Sequence, residues 1–145
     1  MRIVNAGNER RNEIISLLQS QNLPTGDLPA SLSSFYIALE DDKIIGVIGM
    51  ERYGQYGLLR SMVVHPAHRN KQIAETLINI LEDGASSSGI DSVYLLTETA
   101  AGYFEKKGYK KIDRIQVPEQ VKASSEFSGV CPVSAIVMQK SLVQK

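Results

Sequence analysis

"VVHPAHRNKQIAETLI", Val63 to Ile78, decides how the chain folds. Its β-branched opening reads as the end of a strand, stopped by His65-Pro66. A polar turn carrying Arg69 and Lys71 follows, and then Ile73, Ala74, Leu77 and Ile78 recur at helical spacing, continued by Ile80 and Leu81 until "SSSG" ends the helix at Gly89. Upstream, "GLLRSMVV" supplies the strand. Downstream, "DSVYLLT" is almost unbroken in its apolar character, as expected of a strand covered on both faces. Strand 58–64, helix 71–87 and strand 91–97 therefore read as a βαβ unit, with its strands parallel and its crossover right-handed.

Outward from this unit the pattern changes. "MRIVNA" reads as a first strand and "NERRNEIISLLQSQ" as a helix with Ile14, Ile15, Leu17 and Leu18 on one face and Asn8 as N-cap. "NLPTGDLP" breaks that helix and reads as a surface loop of the kind that carries specificity. In "SFYIALE", Phe35, Ile37 and Leu39 alternate with Tyr36, Ala38 and Glu40, a half-buried strand. Turns at 41–43 and 54–57 make residues 34–64 an antiparallel meander. After the unit, a helix over 99–107 closes at Gly108, "YKKIDRI" resumes as strand, "PEQVK" reads as one helical turn and "AIVMQKSL" as a last strand. No repeat or linker divides the chain, so residues 1–145 are expected to form a single domain: a mixed α+β sheet with one parallel pair near its middle.

Composition narrows the function. The 16 basic and 16 acidic residues balance, which advertises neither nucleic acid nor an anionic membrane as partner. Cys131 is the one cysteine, so no intrachain disulfide forms and a reducing, cytoplasmic setting is expected. With His65 and His68 as the two histidines, both on a Pro-containing turn, no metal site is expected. His65 reads as a strand terminator and His68 as a solvated turn residue. No apolar run approaches the ~18 residues of a membrane span, and the N-terminus lacks a signal-peptide layout.

The strand-to-helix turn is the chemical feature. It leaves backbone N–H groups pointing along a helix axis that carries about half a positive charge at that end. Arg69 and Lys71 add formal charge where the dipole disfavours it, an arrangement suited to a bound anion such as phosphate. The turn also lies at the carboxyl end of a parallel strand, where open α/β arrangements hold ligands.

"VVHPAHRNKQIAETLINILEDGA" resembles the first cofactor motif of the GNAT family of N-acetyltransferases, whose pattern is Arg or Gln, two residues, Gly, one residue, then Gly or Ala. "TAAGYFEKKGY" is similar to the motif that follows it. The resemblance implies a three-layer fold with a mixed, mostly antiparallel sheet of about six or seven strands, a central parallel pair splayed at its carboxyl end and about four helices. It also implies acetyl-CoA as co-substrate, its pyrophosphate on the turn from Arg69 to Ala74 and its pantetheine between the strands ending at Val64 and Thr97. The cofactor-binding residues it implies are Met62, Val63, Val64, Arg69, Asn70, Lys71, Gln72, Ile73, Ala74, Glu75, Thr99 and Phe104. Gln72 stands at the family's Gly position and Asn70 where Gly is frequent. A helical φ is expected to suit Gln72, so that its amide still donates.

Acetyl transfer needs a neutral amine, donors for the carbonyl oxygen and a tolerable thiolate. Glu51 shares the alternation of Ile45, Val47 and Gly49, which puts a carboxylate on an otherwise apolar strand face, and is the expected base. The amides of Met62 or Val63 are the expected oxyanion donors, as in the family. Many members carry Tyr where Phe104 stands. Tyr103 is one place away, about 100° around the helix, either as proton donor to the sulfur or as a packed aromatic.

"LPTGDLP", "LLRSMVVHP" and the tail "DRIQVPEQVKASSEFSGVCPVSAIVMQKSL" look like the arsenic-resistance-linked acetyltransferases and related amino-acid N-acetyltransferases. The implied acceptor is the amine of a small amino acid or amino-acid-like compound. Arg60, with Ser61 beside it, is the expected clamp for the acceptor's carboxylate, and Ser134 and Arg114 are weaker candidates. One thiol cannot build a multi-thiolate arsenic site, so Cys131 reads as a small loop residue. The competing readings are a non-catalytic acyl-CoA-binding module and an acetyltransferase for a polyamine, an aminoglycoside or a protein N-terminus. The family's pairing habits leave monomer and homodimer both open.

Overall fold

A computed structural model describes residues 1–69, 72–124, 127 and 135–143. Among the described residues the elements run β1 (Arg2–Asn5), α1 (Arg11–Ser20), β2 (Tyr36–Glu40), β3 (Lys43–Tyr53), β4 (Tyr56–Val64), α2 (Ile73–Ser87), β5 (Ser92–Thr97), α3 (Ala101–Lys106), β6 (Lys110–Ile112), α4 (Glu119–Lys122) and β7 (Ile136–Ser141). The seven strands follow the order β1-β2-β3-β4-β5-β7-β6. The pair β4–β5 is parallel, with Tyr56, Gly57 and Leu58 opposite Ser92, Val93 and Tyr94. Pairs β1–β2, β2–β3, β5–β7 and β6–β7 are antiparallel. This is the mixed sheet with one parallel pair expected from the βαβ reading.

Local chemistry accounts for the turns. Asp41 and Asp42 both take positive φ, 51° and 63°, as a two-residue hairpin between β2 and β3 requires. Aspartate tolerates that region because its short side chain bonds to nearby backbone. Between β3 and β4 the corresponding pair is Gly54-Gln55, with φ of 65° at the glycine.

The chain forms two compact units, one of Met1–Glu51 with Arg60–Gly84, the other of Arg52–Leu59 with Ala85–Lys145. In the first, Ile14, Leu17 and Leu18 of α1 pack with Phe35, Ile37, Leu39, Val47 and Val63. The loop after α1 joins this core through Leu28 and Leu32, so "NLPTGDLP" is more anchored than its prolines suggest. Arg11 donates to the carbonyls of Pro29 (2.7 Å) and Leu28 (3.2 Å), and Asn8 to that of Ala30 (3.1 Å). Asn8 thus ties down the loop instead of capping α1, whose first turn is preceded by a 3₁₀ turn at Asn8–Arg10. Helix α2 lies on β3 at Gly46, where a Cβ would meet Ile73 Cγ2 and Leu77 Cδ1 at 3.2 Å each.

In the second unit Leu58, Tyr94, Val117, Val121 and Val137 form the core. Burial, and secondarily the neighbouring Tyr56 phenol, raise the Tyr94 phenol above its ordinary value. Two further sequence expectations are corrected. The strand expected over "YKKIDRI" ends at Ile112, because Asp113 and Gln116 form a reciprocal capping box that starts a 3₁₀ turn at Arg114–Gln116. The half-buried reading of β2 also gives way: Ala38 is buried like Ile37 and Leu39.

Candidate active site

Two features of the first unit gather the candidate residues: the start of α2 and a cluster around Arg60. At the first, β4 ends at Val64, and the His65 N–H donates to the Ile45 carbonyl (2.8 Å). His65 Nδ1 then accepts from the Ala67 N–H (3.1 Å), which folds Pro66–His68 into a 3₁₀ turn. His68 lies 3.5 Å from Glu40. The first bond of α2 runs from the Thr76 N–H to the Gln72 carbonyl (3.1 Å), and the Thr76 hydroxyl donates to the same oxygen (2.9 Å). The N–H groups of Ile73 and Ala74 precede that bond and point out along the axis.

Gln72 takes φ of 60°. The helical φ expected for it is therefore replaced by a left-handed one, which explains why a Gly belongs at this place in the pattern: a Cβ there is strained by about 1–2 kcal/mol. Gln72 is exposed, as are Arg69 and Glu75, whereas Ile73 is buried and Ala74 half-buried. The Arg69 guanidinium reaches Gln21 Oε1 (2.8 Å). The start of α2 is thus preceded in the chain by an exposed arginine and opens on a left-handed residue. Asn70, Lys71, Cys131 and Ser134 lie outside the described residues.

The second feature places Arg60 of β4 with its side chain wholly buried, between two carboxylates. Its Nη1 donates to Glu51 Oε2 (3.1 Å) and to the Asp27 carbonyl (3.3 Å), its Nη2 to Asp27 Oδ1 (2.9 Å), and its Nε to Ser61 Oγ (3.1 Å). Glu51 comes from β3 and Asp27 from the loop after α1, their side chains 16% and 12% exposed. Glu51, Arg60 and Ser61 are brought together. Asp27 was missed by sequence reasoning, and the available signal was chemical rather than periodic: a buried guanidinium needs counter-charge, and Asp27 is the acid of "LPTGDLP". Ser61 adopts φ of 56° in mid-strand, followed by half-buried Met62, buried Val63 and half-buried Val64.

In the second unit, Thr97 Oγ1 accepts from the Ala100 N–H (3.0 Å) and starts α3. Thr99 is exposed. Phe104 is buried, its ring edge-to-face with Tyr109 at 5.5 Å and Tyr103 at 5.6 Å. Tyr103 is half-buried beneath the Lys107 ammonium, 5.5 Å from its ring centre. Arg114 lies over the Phe127 ring and reaches the Ala135 carbonyl at 3.5 Å.

The fold and the α2 junction define an α+β protein in which a strand of the parallel pair leads through a short turn into a helix. A family model described as Acetyltransferase (GNAT) domain matches residues 31–111, more than half of the chain, which therefore belongs to the GNAT acetyltransferase family. An uncharacterized N-acetyltransferase of Chlorobaculum tepidum is 29% identical over 91 residues, 62% of this chain and 58% of that protein. The amino-acid acetyltransferase of Escherichia coli K12 is 23% identical over 116 residues, 76% of this chain and 26% of that protein. The match thus spans less than two thirds of either relative. The N-acetylglutamate synthase of Neisseria gonorrhoeae, crystallised with coenzyme A and N-acetyl-glutamate, shares the fold with a TM-score of 0.84 at 17% identity, over 99% of this chain and 35% of that one. No helix among the described residues is long and apolar enough to cross a membrane.

Proposed function

We propose that residues 1–145 act as one N-acetyltransferase domain that moves an acetyl group from acetyl-CoA to the amine of a small amino acid or amino-acid-like compound. The observation that carries this reading is the start of α2, where Gln72 holds the left-handed φ that the family's glycine position demands. The amides of Ile73 and Ala74, with Arg69 nearby, suit a diphosphate. Asn70, Lys71, Glu75, Thr99 and Phe104 remain proposed cofactor contacts by position in the motifs. The relatives that acetylate amino acids support the acceptor class, and the tail supports the arsenic-resistance-linked subgroup. A cytoplasmic location, as monomer or homodimer, completes the reading.

Acetyl-CoA supplies an acetyl group activated as a thioester, whose C–S bond breaks as the new C–N bond forms. Most amine acceptors arrive as ammonium ions, with reference values of roughly 8 to 10, so a proton must leave before attack. Glu51 takes that proton, held in place by Arg60. Ser61 and Ser134 are proposed to touch the acceptor. A left-handed residue at Ser61 rotates the peptide after it relative to an extended strand, which turns the Met62 amide out of the ladder direction. That amide, or that of Val63, faces the carbonyl oxygen as negative charge develops there. The Tyr103 hydroxyl is the proposed proton donor to the departing sulfur.

Calorimetric titration with coenzyme A and a thiol-release assay with acetyl-CoA across the amino acids test this. Binding with turnover on at least one amino acid is the expected result. Binding without turnover on any amine identifies an acyl-CoA-binding module, and no heat at millimolar coenzyme A removes the cofactor reading.

A further inference from the structure

Arg69 lies just ahead of α2 and 48 residues along the chain from Gln21, yet the two side chains meet: Nη2 of the guanidinium donates to Gln21 Oε1 at 2.8 Å. Gln21 closes α1, and the backbone around it is fixed. Asn22 takes a left-handed φ of 62°, the Leu23 N–H bonds back to the Leu18 carbonyl (3.0 Å), and the Asn22 N–H bonds to that of Gln19 (3.1 Å). This is a Schellman closure with asparagine in the place glycine usually takes. Leu23 then packs on the core that holds Leu18. The Gln21 side chain is tied down as well, its Nε2 donating to the Ser20 carbonyl at 3.1 Å.

We propose that Gln21 is a positioning residue for the diphosphate of coenzyme A: it holds the Arg69 guanidinium near the start of α2, so that the cation is in place before the ligand arrives. This rests on the acetyltransferase reading above and assigns part of its cofactor affinity to the end of α1. An exposed arginine left to itself samples many rotamers, and ordering it on binding lowers affinity. The partner that orders it is a neutral amide, and Arg69 makes no ion pair among the described residues, so its charge stays available to an anion. One bond uses one of the five N–H donors of the guanidinium and leaves four for phosphate oxygens. The carboxyl end of α1 also carries about half a negative charge and has no basic residue in its last turn, which favours a guanidinium there.

The test is a double-mutant cycle on coenzyme A binding, read by calorimetric titration. Gln21→Met keeps the length and helix preference of the side chain and removes the acceptor. The end of α1 survives the change, because the bonds that close it are made by backbone groups. Ordering one long side chain in advance is worth roughly three- to tenfold in affinity, so the dissociation constant is expected to rise by that factor. KM for acetyl-CoA rises with it, while kcat, the KM of the acceptor and the thermal midpoint without ligand stay unchanged. In an Arg69→Ala background the same substitution changes the dissociation constant by less than about 1.5-fold, since the side chain it positions is gone.

An equal loss with and without Arg69 overturns the proposal. So does no loss, or tighter binding, which would make Gln21 a competitor for the guanidinium. Should Gln21→Met lower the midpoint without ligand, Gln21→Ala run through the same cycle decides, by the same outcomes. Absence of heat with coenzyme A in the unaltered protein overturns the acetyltransferase reading and this role together. Binding that Arg69→Ala leaves undiminished removes the role of Gln21 and leaves the cofactor reading standing.

Discussion

Gln72 compresses the problem of reading a site from sequence. Its neighbours spell a helix start, its side chain is exposed, and nothing in its own chemistry announces a φ of 60°. The cost lies in the contact of its Cβ with the backbone that follows, a term that only a glycine would have made visible in the sequence. Gln72→Gly removes that strain, while the greater freedom of glycine in the unfolded chain gives part of the gain back. The expected net effect is a stabilisation of up to about 1 kcal/mol, read as a raised urea midpoint at unchanged m. A midpoint that falls would mean that the Gln72 side chain makes contacts worth more than the strain. Arg60 teaches the complementary lesson. Its position on an apolar strand was visible, but its partners come from residues 9 and 33 places away in the chain, a proximity that no local pattern encodes.

At the scale of elements the sequence was most legible where period and punctuation agree. Strand β4, helix α2 and strand β5 followed from an apolar period that changes at His65-Pro66 and ends at Gly89, because burial of one stripe or both faces writes itself into residue order. The failure at β6 had a readable cause. "DRIQ" carries the Asp-x-x-Gln spacing of a capping box, which outcompeted the β-propensity of Ile115 and left that side chain 82% exposed. Strand β3 carries a subtler constraint at Gly49, where an added Cβ would overlap the fully buried Phe35 ring. Gly49→Ala is therefore expected to destabilise the protein by about 1–3 kcal/mol through overpacking, measured by chemical denaturation. The double variant with Phe35→Leu should recover part of that loss, since the smaller side chain frees the space. Additive losses would show that the glycine serves some purpose other than the close approach of Phe35.

For the whole molecule, ligand binding is the measurement that joins fold to function, because anything held by the native state alone stabilises it by mass action. At coenzyme A a hundredfold above its dissociation constant the gain is about 2.7 kcal/mol. For a chain of this length each kcal/mol moves the melting temperature by about 2–4 °C, so a rise of roughly 5–10 °C is expected. Arg69 is exposed and bonded to Gln21, so its removal costs the free protein little. A hydrogen bond to a charged phosphate is worth about 1.5–3 kcal/mol, hence Arg69→Ala should weaken coenzyme A by about tenfold or more. At the same coenzyme A concentration that leaves about half of the stabilisation, or less, and so at most about half of the thermal shift. Thermal melts of both proteins with and without coenzyme A give the comparison directly. An undiminished shift in the variant would detach the diphosphate from the Arg69–Ala74 turn, leaving the helix start without the ligand that explains its strained and positively charged residues.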